Sequence, residues 1–161
     1  MDPLSDDRLT LVGLLFECAT ALRSQLDREL DRQVDLPLQS FELLLRLARS
    51  PGRHLRMSDL AAQTSLTPSG LTRAVDRLER NGLVERAPCA SDRRGAYAAL
   101  TARGFERIQA AVGPHLDHVE EHLTGALDPG EQAQLAALLR KVRAHVNPAA
   151  VAAIPRDTVR A

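Results

Sequence analysis

A chain of 161 residues is long enough to bury a sizeable core and suits a single domain. Hydrophobic residues make up 44% but aromatics only 2%, so the core must be built from Leu, Val and Ala, which favours helices. With 21 basic residues against 21 acidic ones, the balance excludes a uniformly basic coat, so any nucleic-acid contact must come from a local face.

Leu9, Val12, Phe16, Ala19, Leu22, Leu26 and Leu30 recur at helical spacing and predict a helix over 6–30. Asp35-Leu36-Pro37 breaks it. Pro37 suits the first position of a second helix over 38–49, which Ser50-Pro51-Gly52 ends. Leu55-Arg56-Met57 reads as an extended link, and Ser58 with Asp59 caps a short helix over 58–64. Thr67 as N-cap and Pro68 in the first turn then start a helix to Asn81, with Gly82 as its left-handed cap. Its apolar positions are Leu71, Ala74, Val75 and Leu78, which leaves Ser69, Thr72, Arg73, Asp76, Arg77 and Arg80 outside.

Residues 83–86 and 96–100 predict two strands joined by a polar turn over 89–95. Thr101 caps a long helix to about 123, interrupted near Gly113-Pro114. Asp128, Pro129 and Glu131 supply cap, N1 proline and capping-box carboxylate for a last helix over 129–146. Residues 147–161, with Pro148 and Pro155, read as a loose tail or arm.

The order of these elements predicts a mainly α fold carrying a winged helix-turn-helix with a small β-hairpin wing. Such a module lays one helix in the DNA major groove and its hairpin against the minor groove. Charge agrees with this. Between Arg53 and Arg94 stand eight arginines and five acids, a net +3 within a neutral chain. On the helix over 68–81, small residues at Ser69, Gly70 and Thr72 let the backbone approach phosphates, and Arg73 and Arg77 can reach guanine edges. Arg93 and Arg94 sit together at the hairpin tip, where a narrow minor groove focuses negative potential; Asp92 can orient Arg94.

Two cysteines, Cys18 and Cys89, without CxxC spacing and without a signal peptide fit a reducing cytoplasm. No apolar run approaches the ~18 residues that span a membrane, so no membrane partner is expected. Nucleophile-elbow and phosphate-loop patterns are absent, no cofactor is implied, and the expectation is that the chain is not an enzyme.

A series of short motifs carries a resemblance. These are Phe41-Glu42-x-Leu44-Leu45-x-Leu47, Met57-Ser58-Asp59-Leu60-Ala61, Leu66-Thr67-Pro68-Ser69-Gly70-Leu71-Thr72-Arg73, Asp76-Arg77-Leu78, Asn81-Gly82-Leu83-Val84-Glu85-Arg86, Asp92-Arg93-Arg94 and Leu100-Thr101-x-x-Gly104. Over about residues 10–145 the chain resembles the MarR family of bacterial transcription regulators. The resemblance implies a symmetric homodimer whose terminal helices, 6–36 and 101–146, interlock around a DNA-binding lobe at 37–100. It implies double-stranded DNA as partner, with Ser58, Ser65, Thr67, Ser69, Gly70, Thr72, Arg73 and Arg77 at the major groove or its phosphates. Arg94 becomes the minor-groove finger, Asp92 its orienting partner and Arg93 a phosphate contact. A two-fold dimer then reads a pseudo-palindrome with half-sites about 10 bp apart, as a repressor released by a signal.

Three signals compete. A small aromatic ligand would meet Phe16, Cys18, Leu22, Arg23, Phe41 and Leu45, all of which equally suit a plain helical core. A zinc-responsive regulator of the same fold would use His118 and His122, a chelating i, i+4 pair on the face that His115 shares, with Glu121 or Glu42 completing it. The helix-two histidine of zinc-sensing relatives is Phe41 here. Thiol sensing would fall to Cys89 at the wing; Cys18 reads as core, and the position of the sensing cysteine in peroxide-responsive relatives is Gly13. A winged helix serving protein–protein contact is the alternative of a different class.

Overall fold

The computed structural model describes residues 3–64, 66–89 and 92–152, apart from the side chains of 88–89, 92–95 and 151–152. Its elements run α1 (Asp7–Val34), α2 (Leu38–Ala48), β1 (His54–Arg56), α3 (Met57–Ala62), α4 (Pro68–Arg80), β2 (Val84–Cys89), β3 (Asp92–Leu100), α5 (Ala102–His122), α6 (Pro129–Val146) and α7 (Pro148–Ala152). The fold is mainly helical with one small antiparallel sheet, a winged helix-turn-helix.

Local chemistry accounts for most boundaries. Asp6 caps α1 through the Arg8 N–H, Thr67 caps α4 and Thr101 caps α5 through Gly104 N–H, and Asp128 with Glu131 forms a capping box on α6. Gly82 takes φ +68° after α4, as expected of a left-handed cap. The start of α2 is capped across space instead: Leu38 N–H donates to Asp27 Oδ1 of α1 at 2.8 Å, and Pro37 is the N-cap residue rather than the first helical one.

The core gathers Leu30 of α1, Phe41, Leu44 and Leu47 of α2, Leu60 of α3, Leu71, Val75 and Leu78 of α4, Val84 and Ala98 of the sheet, and Ile108 of α5. Each such large side chain contributes about 1.5–3 kcal/mol by leaving water. Gly104 permits the closest approach in this core, because a Cβ there would meet the Leu83 backbone carbonyl.

Several expectations are corrected. α3 begins at Met57 with Arg56 as its N-cap residue, so Ser58 lies inside the helix; its hydroxyl donates to Asp59 Oδ1 at 3.4 Å. The link at 55–57 is largely strand: β1 pairs with β3 at His54↔Ala99, Leu55↔Ala98 and Arg56↔Tyr97, giving the sheet order β1-β3-β2. The hairpin strands run further than the periodicity showed, to Cys89 and from Asp92, with the register shifting between Pro88 and Cys89. The long turn over 89–95 is replaced by backbone pairing. α5 passes through Pro114 without a break, since Ala111 and His118 on either side are buried and hold the helix against the body. The start of the tail is helix α7, whose Ala150 is buried and whose preceding Asn147 donates to the Ala62 carbonyl at 3.4 Å. Residues 153–161 lie outside the described residues.

α1 departs most from its reading. Of its apolar stripe only Leu26 and Leu30 are buried, while Phe16 is 65% exposed and Cys18 is exposed, not core. The helix projects past the chain's own body, so its first half finds no cover within one chain. An 18-residue window of α1 also reaches a mean hydropathy of 1.2, long and apolar enough to meet the length-and-composition standard of a membrane span. That overturns the expectation that no such run exists, because Leu11, Leu14 and Leu15 add apolar surface outside the stripe.

Candidate nucleic-acid interface

α4 is divided into two faces. Leu71, Ala74, Val75 and Leu78 are no more than 3% exposed and anchor it to the core. On the other side Thr67, Ser69, Thr72, Arg73, Arg77 and Arg80 are exposed. The first turn is tightly ordered. Gly70 N–H donates to Thr67 Oγ1 at 3.1 Å, the Thr67 and Ser69 hydroxyls are 3.3 Å apart, and Thr72 Oγ1 donates to the Pro68 carbonyl at 3.0 Å. Gly70 is half-buried, and a Cβ there would lie 3.1 Å from Thr67 Oγ1. The positive end of the helix macrodipole and small hydroxyl side chains thus share one exposed turn, an arrangement that suits phosphate.

The arginines differ. Arg73 has no hydrogen-bond or ion-pair partner among the described residues and stands free toward solvent. Arg77 reaches back to α2, where Nη2 donates to Gln39 Oε1 at 3.2 Å and to Ser40 Oγ at 3.5 Å. Arg80 Nε donates to the Asp76 carbonyl at 3.4 Å.

Arg86 on β2 is tied to this face of α4, a pairing that the sequence reading missed. Its Nη1 lies 2.5 Å from Asp76 Oδ1 and 3.2 Å from Glu79 Oε2, and its Nη2 donates to the Thr72 carbonyl at 3.3 Å. It neutralises the acids that α4 carries outward, which would otherwise repel a polyanion. Its place on a strand directly after the helix was the available signal, but pairing across the turn was not visible in the spacing.

The wing follows α4 through β2 and β3, paired from Val84↔Leu100 to Cys89↔Asp92. By backbone Asp92, Arg93 and Arg94 begin β3; their side chains, Cys89's side chain and all of Ser65 lie outside the described residues.

The residues proposed as a ligand wall do not form one within a single chain. Phe16 and Cys18 are exposed, Leu22 and Leu45 are half-buried, and Phe41 is fully in the core with its ring 4.3 Å from that of His115. Arg23 pairs with Glu42 at 2.9 Å, and that hydrogen bond raises the Arg23 guanidinium above its ordinary value. Of the six, only Arg23 lines the open groove between α1 and α2, together with Thr20, Ser24, Asp27, Leu38 and Gln39. His118 is buried and His122 lies next to it one turn on, with Glu121 between them. Burial, aided by His118, pushes the half-buried His115 below the ordinary imidazole value.

A two-faced helix with its small-residue turn outward, followed by a strand hairpin, defines a winged-helix DNA-binding protein. The model of the MarR family matches residues 34–95. The chain is 30% identical over 125 residues to the HTH-type transcriptional regulator PecS of Dickeya dadantii, covering 75% of each protein. It is 36% identical over 112 residues to the HTH-type transcriptional repressor Mb2911 of Mycobacterium bovis, covering 68% of this chain and 78% of that one. Among solved structures it is similar to Sco3205, a MarR family transcriptional regulator from Streptomyces coelicolor in complex with DNA. There the TM-score is 0.81 and the identity 38%, over 88% of this chain and 89% of that one. The chain belongs to the MarR family, and it is a DNA-binding transcriptional regulator.

Proposed function

We propose that the chain acts in the cytoplasm as a homodimeric repressor, binding a pseudo-palindromic operator through two winged-helix lobes. In this reading α4 enters the major groove with Thr67, Ser69, Gly70, Thr72, Arg73 and Arg77, while Arg94 reaches the minor groove, oriented by Asp92. Ser58, Ser65 and Arg93 contact phosphates. The free, exposed Arg73 beside the ordered first turn of α4 carries the reading. The repressor named among its relatives and the DNA complex of Sco3205 support it.

Two apolar faces support the dimer. Leu9, Val12 and Phe16 on α1 are 40–65% exposed, and on α6 Leu135, Leu138, Leu139, Val142 and Val146 are 36–70% exposed at helical spacing. Exposed stripes of this size on soluble chains mark an interface, and a second copy would cover both at once. The terminal helices, 6–36 and 101–146, then form the dimerisation unit around the lobe at 37–100. The role is binding, not catalysis.

Release by a small aromatic effector belongs to the same reading. Gln39 lines the groove between α1 and α2 and also accepts from Arg77 of α4. A ligand that recruits Gln39 would free or displace Arg77 and shift the population of DNA-competent dimers.

Selection from random ~30 bp duplexes, long enough for two half-sites about one turn apart, tests the whole. Enrichment of a pseudo-palindrome is the expected outcome, and that duplex then serves to screen phenolic acids, Zn²⁺ and peroxide for release. No enrichment at low salt would overturn it in favour of a protein-interaction role.

A further inference from the structure

The second half of α5 carries a cluster that DNA binding does not use. We propose that His118, Glu121 and His122 form a binding site for a divalent transition-metal ion of the zinc class, with Glu29 of α1 as a positioning residue behind His118. The spacing i, i+3, i+4 puts the three donors on one face of a rigid helix. Their donor atoms all lie within 4.8 Å of one another. Glu121 Oε2 is 3.6 Å from His118 Nδ1 and 3.9 Å from His122 Nε2, and the two rings are near-parallel, 15° apart. Tetrahedral zinc with bonds of about 2.0–2.1 Å holds its N and O donors roughly 3.4 Å apart, so closure needs only small side-chain adjustments.

An independent observation points to a ligand here. His118 is 8% exposed, and neither of its ring nitrogens has a hydrogen-bond partner among the described residues. Buried polar groups are nearly always satisfied, and an imidazole orphaned on both sides requires an explanation. An ion on Nδ1 satisfies one nitrogen. The proton then sits on Nε2, which lies 4.0 Å from Glu29 Oε2. A small side-chain adjustment would bring this pair into the carboxylate–histidine–metal relay that fixes the tautomer of a ligating histidine. Arg32, 2.5 Å from Glu29, holds the carboxylate in place.

The set is complete on α5 and α1. It takes nothing from position 41, where Phe41 packs against His115, nor from His115 itself. Three protein donors leave a fourth position for water. An ion so held, coupled through Glu29, would fasten the second half of α5 to α1.

The test uses tag-free full-length protein stripped with a chelator and titrated with Co²⁺ and then Zn²⁺, without DNA, so that its failure is separate from failure of the operator reading. The expected result is one Co²⁺ per chain with visible bands of near-tetrahedral coordination, displaced by one Zn²⁺, and a rise in thermal midpoint on loading. His122→Ala should lower affinity by about 100-fold or more and abolish that rise. Glu121→Gln, on an exposed position, should weaken binding as well. Glu29→Gln should cost about 10–100-fold while leaving stoichiometry unchanged. Equal affinity and stoichiometry in wild type, His122→Ala and Glu121→Gln would overturn the site, as would failure of the wild type to retain an ion against a weak competing chelator.

Discussion

Arg86 Nη1 lies 2.5 Å from Asp76 Oδ1 and 3.2 Å from Glu79 Oε2, so an arginine of β2 screens the acids on the outward side of α4. The part this arrangement predicts for Arg86 in DNA binding is electrostatic cover and not contact. Arg86→Ala is expected to weaken operator binding by about 1 kcal/mol, within the range of partly exposed ion pairs, and Asp76→Asn added to it should recover part of the loss. A double-mutant cycle of operator affinities measures this. Additive or worsened losses would show that Arg86 acts some other way.

Arg73 has no such tie among the described residues and is exposed. Arg73→Ala should cost about 1–3 kcal/mol of operator affinity, and Arg94→Ala the same if the wing reaches the minor groove. Fluorescence anisotropy across a salt series separates a base contact, which relaxes specificity, from a phosphate contact, which lowers the salt slope by about 1. Unchanged affinity at physiological salt would exclude the residue concerned from the interface.

Phe16 and Leu139 stand on the exposed apolar faces of α1 and α6. Phe16→Glu and Leu139→Glu should each shift the dimer toward monomer with the lobe still folded, since neither side chain supports the core of one chain. Sedimentation velocity over a concentration series reads the shift. A monomer–dimer constant equal to wild type in both variants would place the dimer contact elsewhere.

Gly104 sits where α5 crosses the Leu83 backbone, and a Cβ there would lie 2.8 Å from Leu100 Cδ1 and 2.9 Å from the Leu83 carbonyl carbon. Backbone cannot yield as a flexible side chain does, so Gly104→Ala should cost about 3 kcal/mol by overpacking. Gly113→Ala in the same helix has open space around its Cβ and should change stability by less than about 1 kcal/mol. Urea denaturation at matched protein concentration compares them; similar values would contradict the close approach.

His115 is held below its ordinary value of 6.5, first by burial and then by the charge of His118. The folded form binds its proton less readily than the unfolded chain, so stability rises with pH wherever the unfolded chain alone is protonated. This contribution is present above about pH 6.5 and is lost as pH falls through the lowered folded value. With chelator present, His115→Leu should flatten the fall in stability between about pH 7 and 5. Denaturant midpoints across that window check this, and parallel curves for the two proteins would deny His115 the role.

Much of this was legible in the residues themselves. Thr67-Pro68 with Gly82, Thr101, and Asp128 with Glu131 marked helix ends by bonds that close within three or four residues, and α6 ran from Pro129 to Val146 as its capping box foretold. The buried face of α4 followed from the spacing of Leu71, Ala74, Val75 and Leu78. Less legible was anything that depends on a partner distant in the chain. The extended link at 55–57 is largely strand β1, because β3 lies beside it, some 40 positions later. The pairing of Arg77 with Gln39 is equally non-local.

By itself the sequence determined the capped starts of α4, α5 and α6, the two faces of α4 and the membership in a regulator family, because caps, turns and periodicity are properties of neighbouring residues. Only the tertiary structure decided which of the outward arginines remain free, that Phe16 and Cys18 face out while Phe41 faces in, and that His118 is buried beside Glu29 and Glu121. Those outcomes depend on which side chains converge from separate helices, and the spacing along one helix carries no record of its neighbour.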